Sequence, residues 1–349
     1  MSRASHERGL HIGVAGVGRI GVFHARTLQT LDGVATLTVA DADAGRAEQV
    51  AAELGVRVVD SPQALVEAGM DALVIAAATP AHAPLVQLAA RAGLPAFCEK
   101  PLALDIATID AVLEEVERTG VLVQIGFQRR FDAGYRAAQA AVATGSIGKV
   151  LIVRAATHDP APPSEDYIAA SGGIFRDLHI HDFDAVRFVT GQEVVEVYAD
   201  GVVLEAEWFE RYGDVDAAVA VLRLSDGALA VLSGTRHDPL GYDVRLELFG
   251  TGDSIAVGVD ARSPIRSVEP DVPQPTGPGY RNFMERFEPA YRNELAAFIE
   301  TVQRGGESLC RVEEARADLL VALAADRSRA ERRPVSIKEV EPAQSVGVR

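Results

Sequence analysis

The chain has 349 residues, 48% of them hydrophobic, and a formal net charge of −16. That length allows two domains with separate cores, and that apolar content excludes a disordered or tail-dominated chain. The acidic balance argues against a nucleic-acid partner, because phosphate binding needs a basic face, and no apolar run approaches the roughly 20 residues that span a bilayer.

The start, MSRASHERGL, is short and polar and lacks an apolar signal-peptide core, so a soluble cytoplasmic protein is expected. The first third then alternates short apolar runs with amphipathic segments, the rhythm of βαβ units. Strand-like runs fall at 10–16, 35–41, 71–77, 95–100 and 121–127, with helical patterns at about 19–31, 43–54, 83–93 and 105–119. Continuous Val/Ile/Ala runs are those of strands covered on both faces, so a doubly wound parallel sheet of Rossmann type is expected. After residue 130 the pattern changes: a helix, the strand VLIVRAAT, the Pro-rich loop HDPAPPSEDY and a helix over 171–188. Long β-runs fill 194–258, with Asp226-Gly227 as a hairpin signal. A Pro/Gly-rich loop over 263–280 leads to helices at about 282–304 and 312–330. The expected organisation is an α/β domain over 1–128, an α+β domain over 129–335 with a large, mostly antiparallel open sheet, and a tail over 336–349. The C-terminal helices are free to pack back on the first domain.

Gly16-Val17-Gly18-Arg19-Ile20-Gly21 fits G-x-G-x-x-G at the end of a strand. The first glycine permits the tight turn, the second lets a pyrophosphate approach the backbone, and the third lets helix and strand pack closely. Asp41 ends the second strand twenty residues beyond Gly21, where a carboxylate accepts hydrogen bonds from an adenosine ribose. No arginine follows Asp41 directly, so a 2′-phosphate would meet negative charge, and NAD is favoured over NADP. Ala78, Thr79 and Pro80 form a strand-to-helix turn at the carboxyl edge of the same sheet, which also borders a cofactor crevice. Glu99-Lys100-Pro101 ends another buried strand at that edge. A lysine there needs anionic or polar partners, and an ammonium near a substrate hydroxyl stabilises alkoxide character as hydride leaves carbon.

In SGGIFRDLHIHDFDAVRF (171–188), Asp177 and His181 stand four apart, on one face of a continuous helix, with Asp184 a turn later. They form either a structural ion pair or a working one: a neutral imidazole as general base, with Asp177 positioning substrate hydroxyls. His179 points nearly the opposite way, with Phe175 and Phe183, and reads as a packed or hydrogen-bonded histidine. Rings that diverge cannot share a metal, no Glu or Cys completes a set, and Cys98 and Cys310 have no ligand spacing, so no metal is expected.

Together GVAGVGRIG, EKP, GFQRRFD, HDPAPP, the 171–188 run, LGYDVRLELFG and ERFEPAYRNELAAFIE resemble the Gfo/Idh/MocA oxidoreductases over nearly the whole chain. Within that family, GFQRRFD, DPAPP and GYD resemble the inositol 2-dehydrogenase branch. The resemblance implies Lys100, Asp177 and His181 as the catalytic set, with Arg129 and Tyr242, and more weakly Asp159, lining the substrate. It also implies NAD-dependent oxidation of myo-inositol to 2-keto-myo-inositol and a homotetramer assembled through the open face of the C-terminal sheet. Two rivals stand beside it: the same chemistry on another cyclitol or sugar, and a sensor of dinucleotide or sugar without turnover. The sequence departs from the branch pattern at Leu178, where Thr or Met is expected, and at His158, where Arg is expected.

Overall fold

The computed structural model describes residues 9–342. The reading of the amino terminus and the last tail residues, 343–349, lie outside the described residues. The chain forms two compact units, one built from the chain up to Phe131 with Pro289–Arg316, the other from Asp132–Glu288 with the chain from Ala317 onward.

The first unit opens with β1 (Leu10–Ala15), α1 (Arg19–Leu28), β2 (Val34–Ala40), α2 (Ala44–Leu54), β3 (Arg57–Val58) and α3 (Pro62–Glu67). It continues with β4 (Ala72–Ile75), α4 (Thr79–Arg91), β5 (Ala96–Glu99), α5 (Ile106–Thr119) and β6 (Val123–Gly126). The six strands pair in parallel in the order β3-β2-β1-β4-β5-β6. β4 and β5 are buried at every residue, which is why they read as unbroken apolar runs. The order reverses between β1 and β4, and ligand crevices open at the carboxyl ends of strands at such a reversal.

Three details differ from expectation. α4 begins at Thr79 rather than 83, because Pro80 sits in its first turn, where a missing N–H is harmless. β3 and α3 were not expected: two and six residues are too few to show a period. α3 is started by Pro62 and by the Ser61 side chain, which accepts the Ala64 N–H at 3.2 Å.

The second unit runs α6 (Ala133–Ala143), β7 (Val150–His158), α7 (Glu165–Ser171), α8 (Ile174–Asp177), α9 (Ile180–Thr190), β8 (Val194–Val202) and α10 (Trp208–Arg211). β9 (Ala217–Leu224), β10 (Leu229–Thr235), β11 (Asp243–Gly250) and β12 (Ser254–Val257) follow. After α11 (Phe283–Arg304) and α12 (Val312–Glu331), β13 (Val335–Ser336) completes a seven-stranded sheet in the order β12-β11-β7-β10-β9-β8-β13. Every pairing is antiparallel except β7 with β10. The hairpin at Asp226-Gly227 joins β9 to β10, and Gly227 takes the positive φ (93°) that the turn requires. Alternate residues face opposite ways: Val153, Leu222 and Leu232 are buried, whereas Ile152, Tyr198, Val219, Val221 and Val231 lie exposed on the other face.

The stretch 129–335 is therefore not one contiguous body. α11 is kinked at Phe287 (φ −110°, ψ 16°), two residues before Pro289, whose ring removes a helical N–H. Beyond the kink, Leu295, Phe298 and Ile299 join the core of the first unit with Ala25, Leu28, Val39 and Val74.

Candidate active site

In the first unit the three glycines of the turn after β1 have three separate reasons. Gly16 has φ +93°, and a Cβ there would lie 2.5 Å from both N and Cα of Ala77. A Cβ on Gly21 would lie 2.0 Å from the Gly16 carbonyl oxygen, so helix and turn touch. A Cβ on Gly18 would meet nothing within 4 Å, so this backbone is open to an approaching group. Gly18 is also the N-cap of α1, without a side-chain cap and with no acidic residue in the first turn, where Arg19, Ile20 and Gly21 follow. A helix start of that kind favours an anion, and the turn fits a pyrophosphate. Asp41, one residue beyond β2, accepts the Val17 N–H on Oδ2 (2.7 Å) and the Asp43 N–H on Oδ1 (2.9 Å). Arg46 on α2 approaches the same Oδ1 at 3.6 Å, a cation that reading only the residues next to Asp41 missed.

Ala78 caps α4 in extended conformation beside Thr79 and Pro80, at the carboxyl end of β4. Lys100 follows β5 at the same edge of the sheet and is half-buried. His82 lies between these turns, with Nε2 2.9 Å from the Ala77 carbonyl and Nδ1 2.9 Å from the Pro101 carbonyl. Glu99 turns its carboxylate to His24 on α1 (2.6 Å) and to the Lys100 N–H (3.3 Å), so it braces the turn that carries Lys100. Arg129 follows β6 in a 3-10 turn and is only 1% exposed.

In the second unit, strand register gathers the polar residues. The last parallel pair of β7 and β10 is His158 with Thr235, and Asp159 and Arg236 are the next residue on each strand. β11 begins at Asp243, paired with His158, so Tyr242 precedes it at the same end of the sheet. Arg236 Nη1 donates to Asp159 Oδ2 (3.1 Å) and Nη2 to Asp177 Oδ2 (2.8 Å), while the Tyr167 hydroxyl donates to Asp177 Oδ1 (2.7 Å). Burial opposes the Arg236 charge, but the Asp177 and Asp159 carboxylates outweigh it and hold the guanidinium above its ordinary value. Burial and the Asp177 charge push the Tyr167 phenol well up, so it keeps the proton that it donates to Asp177.

The helix expected over 171–188 is broken. The His179 N–H reaches back five residues to the Ile174 carbonyl (2.9 Å), a wide turn that separates α8 from α9. Asp177 and His181 thus end one helix and begin the next. α8 is anchored independently: Asp214 Oδ1 accepts the Ile174 N–H (2.8 Å), and Arg176 pairs with Asp326 (2.8 Å). His181 is half-buried. His179 is fully buried, stacks on Phe175 and donates from Nδ1 to Asp182 (2.8 Å), the packed, hydrogen-bonded histidine expected.

A parallel sheet with a glycine turn, an open helix start and a carboxylate at the second strand defines a dinucleotide-binding domain of Rossmann type, and comparison with known proteins adds the class of enzyme, an NAD-binding oxidoreductase. Residues 10–127 match the oxidoreductase family with NAD-binding Rossmann fold, and residues 135–256 match the GFO/IDH/MocA C-terminal domain. The chain is 39% identical to a myo-inositol 2-dehydrogenase of Thermotoga maritima, over 95% of this chain and 99% of that one. It is 36% identical to a scyllo-inositol 2-dehydrogenase (NAD(+)) of Bacillus subtilis, over 95% and 97% respectively. The crystal structure of a myo-inositol dehydrogenase from Corynebacterium glutamicum has a TM-score of 0.87 at 34% identity, covering 96% of this chain and all of that one. The chain belongs to the GFO/IDH/MocA oxidoreductase family.

Proposed function

We propose that this oxidoreductase oxidises a cyclic polyol with NAD, namely myo-inositol at ring carbon 2, giving 2-keto-myo-inositol for polyol catabolism in the cytoplasm. The observation that carries the reading is the match to a myo-inositol 2-dehydrogenase over 95% of the chain. The cluster at the strand ends of the second unit suits it, because a polyhydroxylated ring calls for several charged hydrogen-bonding groups. In this reading the turns after β1, β2, β4 and β5 hold the cofactor, which accepts the hydride when bound. His181 takes the proton of the reacting hydroxyl as a neutral imidazole. Lys100 stabilises the alkoxide character of that oxygen, and Asp177 holds a neighbouring hydroxyl. Arg129, Asp159 and Tyr242 line the ring.

A substrate panel read by NADH absorbance tests this. Turnover is expected with myo-inositol and NAD; activity on glucose with none on any inositol overturns the choice. The scyllo-inositol relative makes that isomer the second reading, and the same panel separates the two. We also propose a homotetramer that covers the exposed face of Ile152, Val219, Val221 and Val231. Sedimentation of Val221→Lys should show smaller species; an unchanged tetramer would place the interface elsewhere.

A further inference from the structure

His179 stands at the N-cap of α9, just past the wide turn that ends α8, and its ring is completely buried. The ring lies between Phe175 (centroids 5.8 Å apart) and Phe183 (6.1 Å). Its Nδ1 donates to Asp182 Oδ2 at 2.8 Å, and the Thr157 hydroxyl on β7 donates to Asp182 Oδ1 at 2.7 Å. The backbone repeats the tie, because the Asp182 and Phe183 N–H groups both donate to the His179 carbonyl at 2.9 Å. Gly234 on β10, the register partner of Thr157, leaves the ring its room: a Cβ there would lie 2.6 Å from Nε2.

Neither capping nor packing accounts for a histidine here. A cap residue ordinarily carries a short oxygen side chain that accepts an N–H of the first turn, and His179 makes no such bond. An apolar side chain would fill the same space without burying Nε2, which meets no hydrogen-bond partner among the described residues. What the ring adds is one directional bond to a completely buried carboxylate that β7 also holds. Aromatic contact alone fixes a ring loosely, whereas a hydrogen bond to a carboxylate fixes where its edge points. His181 lies between the two bonded residues, in the same turn. Successive helical side chains stand about 100° apart, so holding 179 and 182 also holds the direction in which 181 projects.

We infer that His179 is a positioning residue: through Asp182 and Thr157 it fixes the first turn of α9 against β7 and so aims the His181 imidazole. The inference rests on the reading in which His181 is the general base. Gly234 belongs to the same device, since a side chain there would displace the ring. A misaimed base takes up its proton poorly while cofactor and polyol still bind, so the loss falls on kcat.

Steady-state kinetics with NAD and myo-inositol, alongside NADH binding by fluorescence, test this aim. His179→Leu keeps the bulk and removes the Nδ1 donor. Its kcat should fall about 10–100-fold, the usual worth of a hydrogen bond to a charged group, with polyol KM and NADH affinity within about threefold of wild type. His179→Asn returns a donor where Nδ1 stands and should recover part of that loss. Thr157→Val takes away the hydroxyl that β7 gives Asp182 and should lower kcat about 3–10-fold. The deciding readout is the His181→Ala background. With no imidazole left to aim, adding His179→Leu should lower kcat by less than about twofold, whereas a merely structural loss would repeat in full. If His179→Leu fails to fold by circular dichroism, Thr157→Val takes its place in the cycle. Full additivity, or turnover of His179→Leu near the wild-type rate, overturns the inference alone. Turnover of His181→Ala near the wild-type rate overturns the base assignment itself, and the inference falls with it.

Discussion

The Asp41 carboxylate accepts the backbone N–H of Val17 at 2.7 Å, so the residue ending the second strand also ties down the glycine turn after the first. Its other oxygen holds the Asp43 N–H and faces Arg46 at 3.6 Å. Four lone-pair sites leave room for ribose hydroxyls beside these bonds. In the proposed reading, Asp41→Ala takes an anionic acceptor from NAD, and Arg46, which keeps Asp43 at 3.4 Å, loses the second carboxylate that opposes a 2′-phosphate. NAD affinity should fall about 10-fold or more, and the ratio of kcat/KM for NAD over NADP should narrow. Measuring both cofactors at saturating polyol checks this. An unchanged ratio would remove Asp41 and Arg46 from cofactor discrimination.

His181 begins α9 and is half-buried in the second unit, whereas the glycine turn and Asp41 belong to the first. A base that acts only on the reacting hydroxyl affects kcat and leaves cofactor binding alone. His181→Ala should lower kcat about 10²–10⁴-fold, the usual worth of a positioned general base, with NADH affinity unchanged. Turnover near the wild-type rate would show that the proton leaves by another route.

The parallel sheet was readable because strands covered on both faces must be apolar throughout, and because three glycines and an aspartate have fixed offsets from strand ends. Residue types at 177 and 181 drew attention for their chemistry, but the helix break between them left no mark. DLHIHDF keeps a helical period whether the turn holds four residues or widens to five, and the choice falls to the packing of His179 between Phe175 and Phe183. Arg236 was invisible for a different reason. It lies 77 residues from Asp159 and 59 from Asp177, and the register of β7 against β10 is what sets it beside Asp159. Pro289 announces a kink in α11, yet not that the helix beyond it packs into the core of the first unit.

His158 ends β7 with Nδ1 2.8 Å from the Thr235 hydroxyl oxygen. Burial lowers its pKa, against the opposing pull of Asp243 and Asp238. The folded value therefore lies below the unfolded value of about 6.5. As pH falls through that value the unfolded chain takes up a proton that the fold resists, so this contribution is present above pH 6.5 and declines below it. Urea midpoints between pH 5 and 7.5 should drop more steeply toward acid for the wild type than for His158→Asn. Parallel curves, or a wild type that gains on acidification relative to the variant, would contradict the assignment.

Arg187 on α9 makes a two-pronged bond to Glu193 (2.8 and 3.0 Å) and reaches Asp318 on α12 at 2.8 Å. Asp318 is completely buried. Burial disfavours the Arg187 charge, and the two carboxylates more than restore it, raising its pKa. Removing the cation takes a partner at 2.8 Å from a buried carboxylate, so Arg187→Met should cost about 3–5 kcal/mol in urea unfolding. Replacing both members treats the pair differently, because an apolar couple of similar volume needs no desolvation. Arg187→Met with Asp318→Leu should recover most of the loss, and the double-mutant cycle isolates the pair from packing around it. The pair ties α9 to α12 within the second unit, so polyol KM should change less than unfolding free energy. If the double variant is as unstable as Arg187→Met alone, packing rather than the broken ion pair explains the loss.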